Sequence, residues 1–185
     1  MNRTLFFALL FICNHSVVSQ TYLSGISCTW DDSYAEWTIF ADSEGEEIEG
    51  DLRLKWANRA NWTEWTVDNL TDIRIQIKQK YPNNSELWEL RSGDQIMTMQ
   101  TKWRQDITEW RIKYDDKSLI WRTEHNNDLN YWYFEDSEHG ILEMYTIYDN
   151  DSRDWEIQDQ TTDNVFVELK IACIFISSYF SSPKQ

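Results

Sequence analysis

The sequence is poor in the residues that usually punctuate or cross-link a chain. Five glycines and two prolines in 185 residues exclude collagen-like, linker-like and other low-complexity arrangements. The three histidines and three cysteines show no His-x-x-x-His or His-x-Cys spacing, so no zinc site is expected. A Gly-x-Ser-x-Gly nucleophile motif is absent, and so few glycines cannot make a phosphate-cradling loop. Basic residues are scarce too: 17 Lys and Arg stand against 32 Asp and Glu, for a formal net charge of −15. Phosphate affinity is carried by Lys and Arg, so neither a nucleic acid nor an anionic membrane is the expected partner. No stretch beyond the first residues is apolar for the length of a bilayer span. No cofactor is expected.

The opening residues read as an address. Arg3 precedes the short apolar run Leu5–Ile12, Asn14-His15-Ser16 breaks it, and Val17-Val18-Ser19 offers a cleavage site. Residues 1–19 are therefore expected to be a signal peptide, cut near Ser19, with the mature chain secreted to an extracellular or periplasmic space. A lipoprotein would need a small residue before Cys13, and Ile12 is large. Cys13 leaves with the signal. Cys28 and Cys173 remain, and a disulfide between them would close a long loop worth about 5 kcal/mol. The favoured reading is two free, buried thiols, because Cys173 lies within a very apolar run.

What the chain has in abundance is tryptophan, eleven in all, within 15% aromatics. So aromatic a composition excludes a disordered acidic tail. Six of the eleven recur in a Trp-x-aliphatic or Trp-x-aromatic pattern: Trp37, Trp65, Trp88, Trp110, Trp132 and Trp155, spaced 28, 23, 22, 22 and 23 residues apart. A period in this range marks a repeated supersecondary unit. A ring residue stands seven positions before most of these Trp (Trp30, Tyr81, Trp103, His125 and Tyr148) and Trp56 stands nine before Trp65. Between each ring and its Trp lie Asp-, Asn- and Ser-rich turns, including Asp31-Asp32-Ser33, Pro82-Asn83-Asn84 and Asn126-Asn127-Asp128. Asn and Asp tolerate positive φ and so replace glycine. Each unit is thus expected to be a hairpin end whose two rings pair across the strands.

The strands entering the turns alternate with period two. Leu52, Leu54 and Trp56 oppose Arg53 and Lys55, and Met97, Met99 and Trp103 oppose Thr98, Gln100 and Lys102. In every unit the Trp shares its face with the aliphatic residue two positions on, so the repeated Trp are expected to line one interior. About twelve short strands in an antiparallel meander must dispose of their edges, and such a sheet curls or closes into a barrel. The expected fold is accordingly all-β, with about six β-hairpin repeats over residues 20–160. Residues 161–185 form an apolar segment of the same domain, read as a helix packed on or inside the sheet, with a long final strand as the alternative. Hairpin repeats near this period are similar to MORN-type repeats, but those depend on glycines that this chain lacks. No family is assigned.

Chemistry is thin. Carboxylates are too numerous to signal catalysis, and Glu36, Glu64 and Glu109 recur at one repeat position, which implies external ion pairs with Arg53, Arg74 and Arg111. Asp149–Asp154 begins like a calcium loop but lacks the glycine and the final glutamate, leaving loose divalent-cation binding at most. Asn61, Asn69, Asn83 and Asn150 open glycosylation sequons. Trp62, out of repeat register, and Tyr133 and Tyr145, on the polar face, are the candidate ligand-facing aromatics. The functional expectation is a secreted, non-enzymatic, acidic β-repeat protein with a binding or structural role and a glycan or protein partner. The alternatives are a carbohydrate-binding module using exposed aromatics and a carrier of an apolar ligand inside a curled sheet.

Overall fold

Short alternating segments separated by Asx-rich turns build a hairpin meander, and the described residues form twelve strands and one helix. The structure, a computed structural model, describes residues 20–56, 61–125 and 128–183. The expected signal peptide at 1–19 lies outside the described residues, as do Asn126 and Asn127 of one expected turn. The first six strands are β1 (Thr21–Trp30), β2 (Ser33–Ser43), β3 (Glu46–Leu54), β4 (Glu64–Asp68), β5 (Ile75–Gln79) and β6 (Leu87–Ser92). They are followed by β7 (Gln95–Thr101), β8 (Glu109–Tyr114), β9 (Lys117–Thr123), β10 (Tyr131–Asp136), β11 (Gly140–Tyr148) and β12 (Asp151–Thr161). Every strand pairs antiparallel with its neighbours in sequence, and β1 pairs with β12, so the sheet closes into a barrel. Closure removes the edges that a twelve-strand open meander would expose.

The period-two register sorts the wall. Trp37, Trp65, Trp88, Trp110, Trp132 and Trp155 are all 2% exposed or less and face inward with Ile39, Val67, Leu90, Ile112, Phe134 and Ile157. The outward positions of the central strands carry Lys78, Arg91, Arg111, Lys113 and Arg122, the reverse of the lipid-facing pattern of a membrane barrel. No helix among the described residues is long and apolar enough to cross a membrane.

A barrel of twelve strands is wider than its own side chains can fill. The apolar C-terminal segment fills the lumen as a helix, α1 (Val167–Ser181), with Leu169 to Ser178 all buried. A stripe would suffice for a helix on a surface; burial on every side demands the all-round apolar composition seen here. Phe175 meets the edges of Trp65 and Trp88 at ring distances of 5.9 and 5.0 Å, and Phe180 packs on Trp110 at 4.7 Å. The helix hydroxyls are satisfied locally, Ser178 Oγ donating to Ile174 O, and Ser177 Oγ accepting the Trp121 indole N–H at 2.9 Å.

Two ends of the barrel differ in their turns. At one, β2 to β3 and β10 to β11 reverse tightly. Glu44 and Gly45 both take positive φ, as a two-residue hairpin requires. Gly140 has φ +82°, and a Cβ there would meet Gln160 O at 2.5 Å. At the other end, where the six repeated Trp sit, the positive-φ positions among the described residues are Asn83, Gln105 and Asn150, and the two asparagines are the glycine substitutes the sequence implied. Cys28, half-buried on β1, and Cys173, buried in α1, are free thiols rather than a disulfide. Burial, then the Asp154 charge, pushes the Cys28 thiol up to about 12, and burial raises Cys173 as well, so neither is an activated nucleophile.

Candidate functional site: the aromatic rim and its outer cleft

Each repeated Trp closes a small hydrogen-bonded unit. Four residues before it stands Ser33, Asn61, Asn84, Asp106, Asp128 or Asp151, whose side-chain oxygen accepts the backbone N–H two residues on, at 2.9–3.2 Å. The Trp indole N–H then donates to the carbonyl three residues before it, at 2.8–3.1 Å, in all six units. The turn thus has its exposed donor and its buried acceptor both satisfied, which a Phe in place of Trp would not do. The signal was present in the sequence as Ser, Asn or Asp at a constant distance before Trp. In three units the residue between, whose carbonyl is used, is a large apolar one that packs on the core: Tyr34, Trp62 and Leu129. Trp62 is one of these. It is half-buried against Trp65, with ring centroids 5.7 Å apart, so it seals the barrel end rather than standing as an open platform.

The ring residues seven or nine positions earlier do not share the interior with the repeated Trp, nor do they pair with them. β3 and β7 end at Leu54 and Thr101, so strand parity no longer governs Trp56 and Trp103. Trp30 is 57% exposed, Trp103 59% and Trp56 39%, and Tyr81 and Tyr148 are exposed beside their own turns. Instead of a ring, three of these indoles find a carboxylate. Trp30 Nε1 donates to Glu36 at 2.9 Å, Trp56 to Glu64 at 3.1 Å and Trp103 to Glu109 at 3.1 Å. Lys55 and Lys102 bind the same Glu64 and Glu109 carboxylates, at 2.9 and 2.6 Å, and lie over the Trp56 and Trp103 rings. The Lys55 and Trp56 hydrogen bonds hold the Glu64 carboxyl below its usual range. Arg53 and Arg74, expected to pair with these glutamates, both bind Asp68 instead.

One of these aromatic units opens into a cleft of about 400 Å³ on the outer wall, lined by Trp103, Asp106, Thr108, Glu109, Arg122, Thr123, Glu124 and Tyr133. Tyr133, outward on β10 as the alternation required, carries the Arg122 guanidinium 5.0 Å from its ring centre. From it a row of rings runs along the sheet. Tyr131 lies 6.2 Å from Tyr133 and stacks on Tyr145, its cross-strand partner, at 6.0 Å and 9°. Burial, then a hydrogen bond with Glu143, raises the Tyr131 hydroxyl above its ordinary value. Tyr133 and Tyr145 therefore belong to one surface. Tyr131, which joins them, escaped sequence reasoning because it sits directly before a repeated Trp, in the place where three other units carry Glu.

Elsewhere the chemistry is closed off. Tyr114 Oη and His139 Nε2 are 2.6 Å apart, and His139 Nδ1 meets Asp136 at 2.8 Å, a chain of three groups resembling an acid–base relay. His139 and Tyr114 are 4% and 5% exposed, beneath the turn leading to α1, out of reach of a substrate. Burial opposes ionisation of Asp136, yet hydrogen bonds from the His139 backbone and ring and from the Glu138 N–H hold its carboxyl below the usual range. In the calcium-like segment, Asp151 is gripped by Arg153 and Asp154 accepts the Ser27 hydroxyl. Among the described residues no group of three His, Cys, Asp or Glu side chains is arranged to hold a metal ion. An outer recess of about 610 Å³ beside Phe40, Asp42, Ile48 and Glu49 offers a single ring and no cation. Comparison with family models, characterised proteins and solved structures finds no match.

Proposed function

We propose that the mature chain is an exported, non-catalytic binding module that holds a glycan against aromatic side chains on the outside of the barrel. The observation that carries this reading is the outer cleft, where Trp103 and Tyr133 stand over Arg122 and a group of carboxylates. A pyranose has an apolar C–H face, which stacks on an indole or phenol ring, and peripheral hydroxyls, which a carboxylate accepts and a guanidinium donates to. The cleft offers all three. Its acids, in a chain of net charge −15, favour neutral or amino sugars and repel uronate or sulfate. A hydrolytic role has less support, because the Glu109 carboxylate in the cleft is already occupied by Lys102 and Trp103. A lumenal carrier has less support still, since α1 occupies the volume an apolar ligand would use.

The test is retention of the mature protein on columns of chitin, cellulose and hyaluronate. The expected result is retention on chitin or cellulose but not on hyaluronate, reduced at least tenfold by Trp103→Ala and by Tyr133→Ala. Passage of the parent protein through all three columns would overturn the reading. Export is tested separately by N-terminal sequencing of the secreted product, expected to begin at Gln20.

A further inference from the structure

The rim of the barrel repeats the aromatic wall of the cleft. The odd-numbered strands β1, β3 and β7 all finish at this end, and each presents an exposed Trp whose indole N–H is bonded to the glutamate directly before the next repeated Trp: Trp30 to Glu36, Trp56 to Glu64, Trp103 to Glu109. Single exposed rings are ordinary on a protein surface, but here three are held in the same way, each by a glutamate, on one rim. At Trp56 and Trp103 a lysine also lies over one face of the ring, while Trp30 is held by its glutamate bond. Nor is an indole needed by the fold, since β5, β9 and β11 reach the same rim with Tyr81, His125 and Tyr148, and their units close with the same turn bonds. The bond to glutamate fixes the plane of each indole, giving a pre-ordered plate with a carboxylate at its edge. Stacking on a plate that is already ordered loses less conformational freedom on binding.

We propose that Trp30–Glu36, Trp56–Glu64 and Trp103–Glu109 are three equivalent glycan subsites on one rim, so that the barrel engages a polysaccharide at several points. This rests on the glycan reading above and extends it from one cleft to the whole rim. The first two subsites lie two strands apart, on the order of 10 Å along the wall, within reach of one oligosaccharide. The third lies four strands beyond the second and requires a longer chain or a second one. Linked sites bind a polymer more tightly than any one site binds a fragment, commonly by factors of about 10²–10⁴.

The experiment is an NMR titration of the eleven indole N–H signals with chitohexaose and cellohexaose, repeated on Trp30→Ala, Trp56→Ala and Trp103→Ala. The expected result is that Trp30, Trp56 and Trp103 all shift while the six buried Trp of the repeat stay still. Each variant should then lose one subsite and bind a chitin or cellulose column more weakly in steps, with its melting temperature unchanged. If only Trp103 shifts, the multiple-subsite proposal is overturned and the single-cleft reading stands. If no rim signal shifts with either sugar, both fall. Shifts on dilution without sugar would assign the rim to contact between copies of the chain, which also overturns the proposal.

Discussion

The two ends of the barrel are held together in different ways. At the Trp end the same unit occurs six times: an Asx or Ser cap, a carbonyl, and an indole that seals it. At the opposite end nothing repeats. There α1 enters, and Lys170, 0% exposed, donates to Asp159 and to Thr21 O, both at 2.7 Å. Asp159 in turn accepts Leu23 N at 2.9 Å and the Thr161 hydroxyl at 2.7 Å. The backbone ladder between β1 and β12 spans only Gly25–Ser27 against Asp154–Glu156, so this buried pair completes the seam and ties the helix to it. Repetition makes a wall; a one-off polar contact specifies where the wall closes and how far the helix descends.

That contrast is broken most severely at Asp159. Asp159→Ala leaves a buried ammonium facing one carbonyl, and should cost about 3–5 kcal/mol in denaturant unfolding. Replacing both partners, Asp159→Asn with Lys170→Met, should recover most of that loss, because no buried charge is then left unpaired. A single unit of the collar should matter less. Trp110→Phe orphans the Ile107 carbonyl and should cost roughly 1–3 kcal/mol, with Trp37→Phe costing about the same because its bond to Tyr34 O is equivalent. Widely unequal costs in these two variants would contradict the equivalence of the units.

The outer wall contributes a pH term of its own. Glu89, 7% exposed, is held below the usual carboxyl range by the Arg91 hydrogen bond, with Lys78 and Lys80 adding to it. Its folded value lies under its unfolded one, so its stabilisation is complete above the unfolded value of 4.5 and is lost as pH falls through the folded value. Glu89→Gln should therefore flatten the fall in melting temperature between about pH 6 and 3. Smallest of all is Lys55→Ala. The Lys55–Glu64 pair is 38% exposed on each side, and its loss should change stability by no more than about 0.5 kcal/mol.

The contrast between the ends also explains what could be read in advance. Trp37-x-Ile39 and its five counterparts state their burial in a two-residue period, and six copies spaced by about a hairpin's length imply a meander that must curl. The all-round apolar character of the C-terminal segment implied burial, on or inside the sheet, but left helix and long strand both open. Closure between β1 and β12 was not legible, because it depends on Asp159, an ordinary surface residue by its neighbours in sequence, meeting a single lysine inside an apolar run. Trp56 and Trp103 misled because period two was carried past the strand ends, where the chain had already turned. Of the candidate aromatics, Tyr133 and Tyr145 follow from alternation alone. Trp62 does not, since its burial depends on the carbonyl it lends to Trp65.

The central claim is that the six repeated Trp build the barrel while the rim Trp present exposed indole surface to a ligand. Hydrogen exchange of the indole N–H groups, followed residue by residue in unliganded protein, tests it most directly. Trp37, Trp65, Trp88, Trp110, Trp132 and Trp155 should exchange only when the barrel opens, whereas Trp30, Trp56 and Trp103, each bonded to a surface glutamate, should exchange far faster in the folded state. Rapid exchange at the repeated Trp, or protection at all three rim positions equal to theirs, would contradict the account.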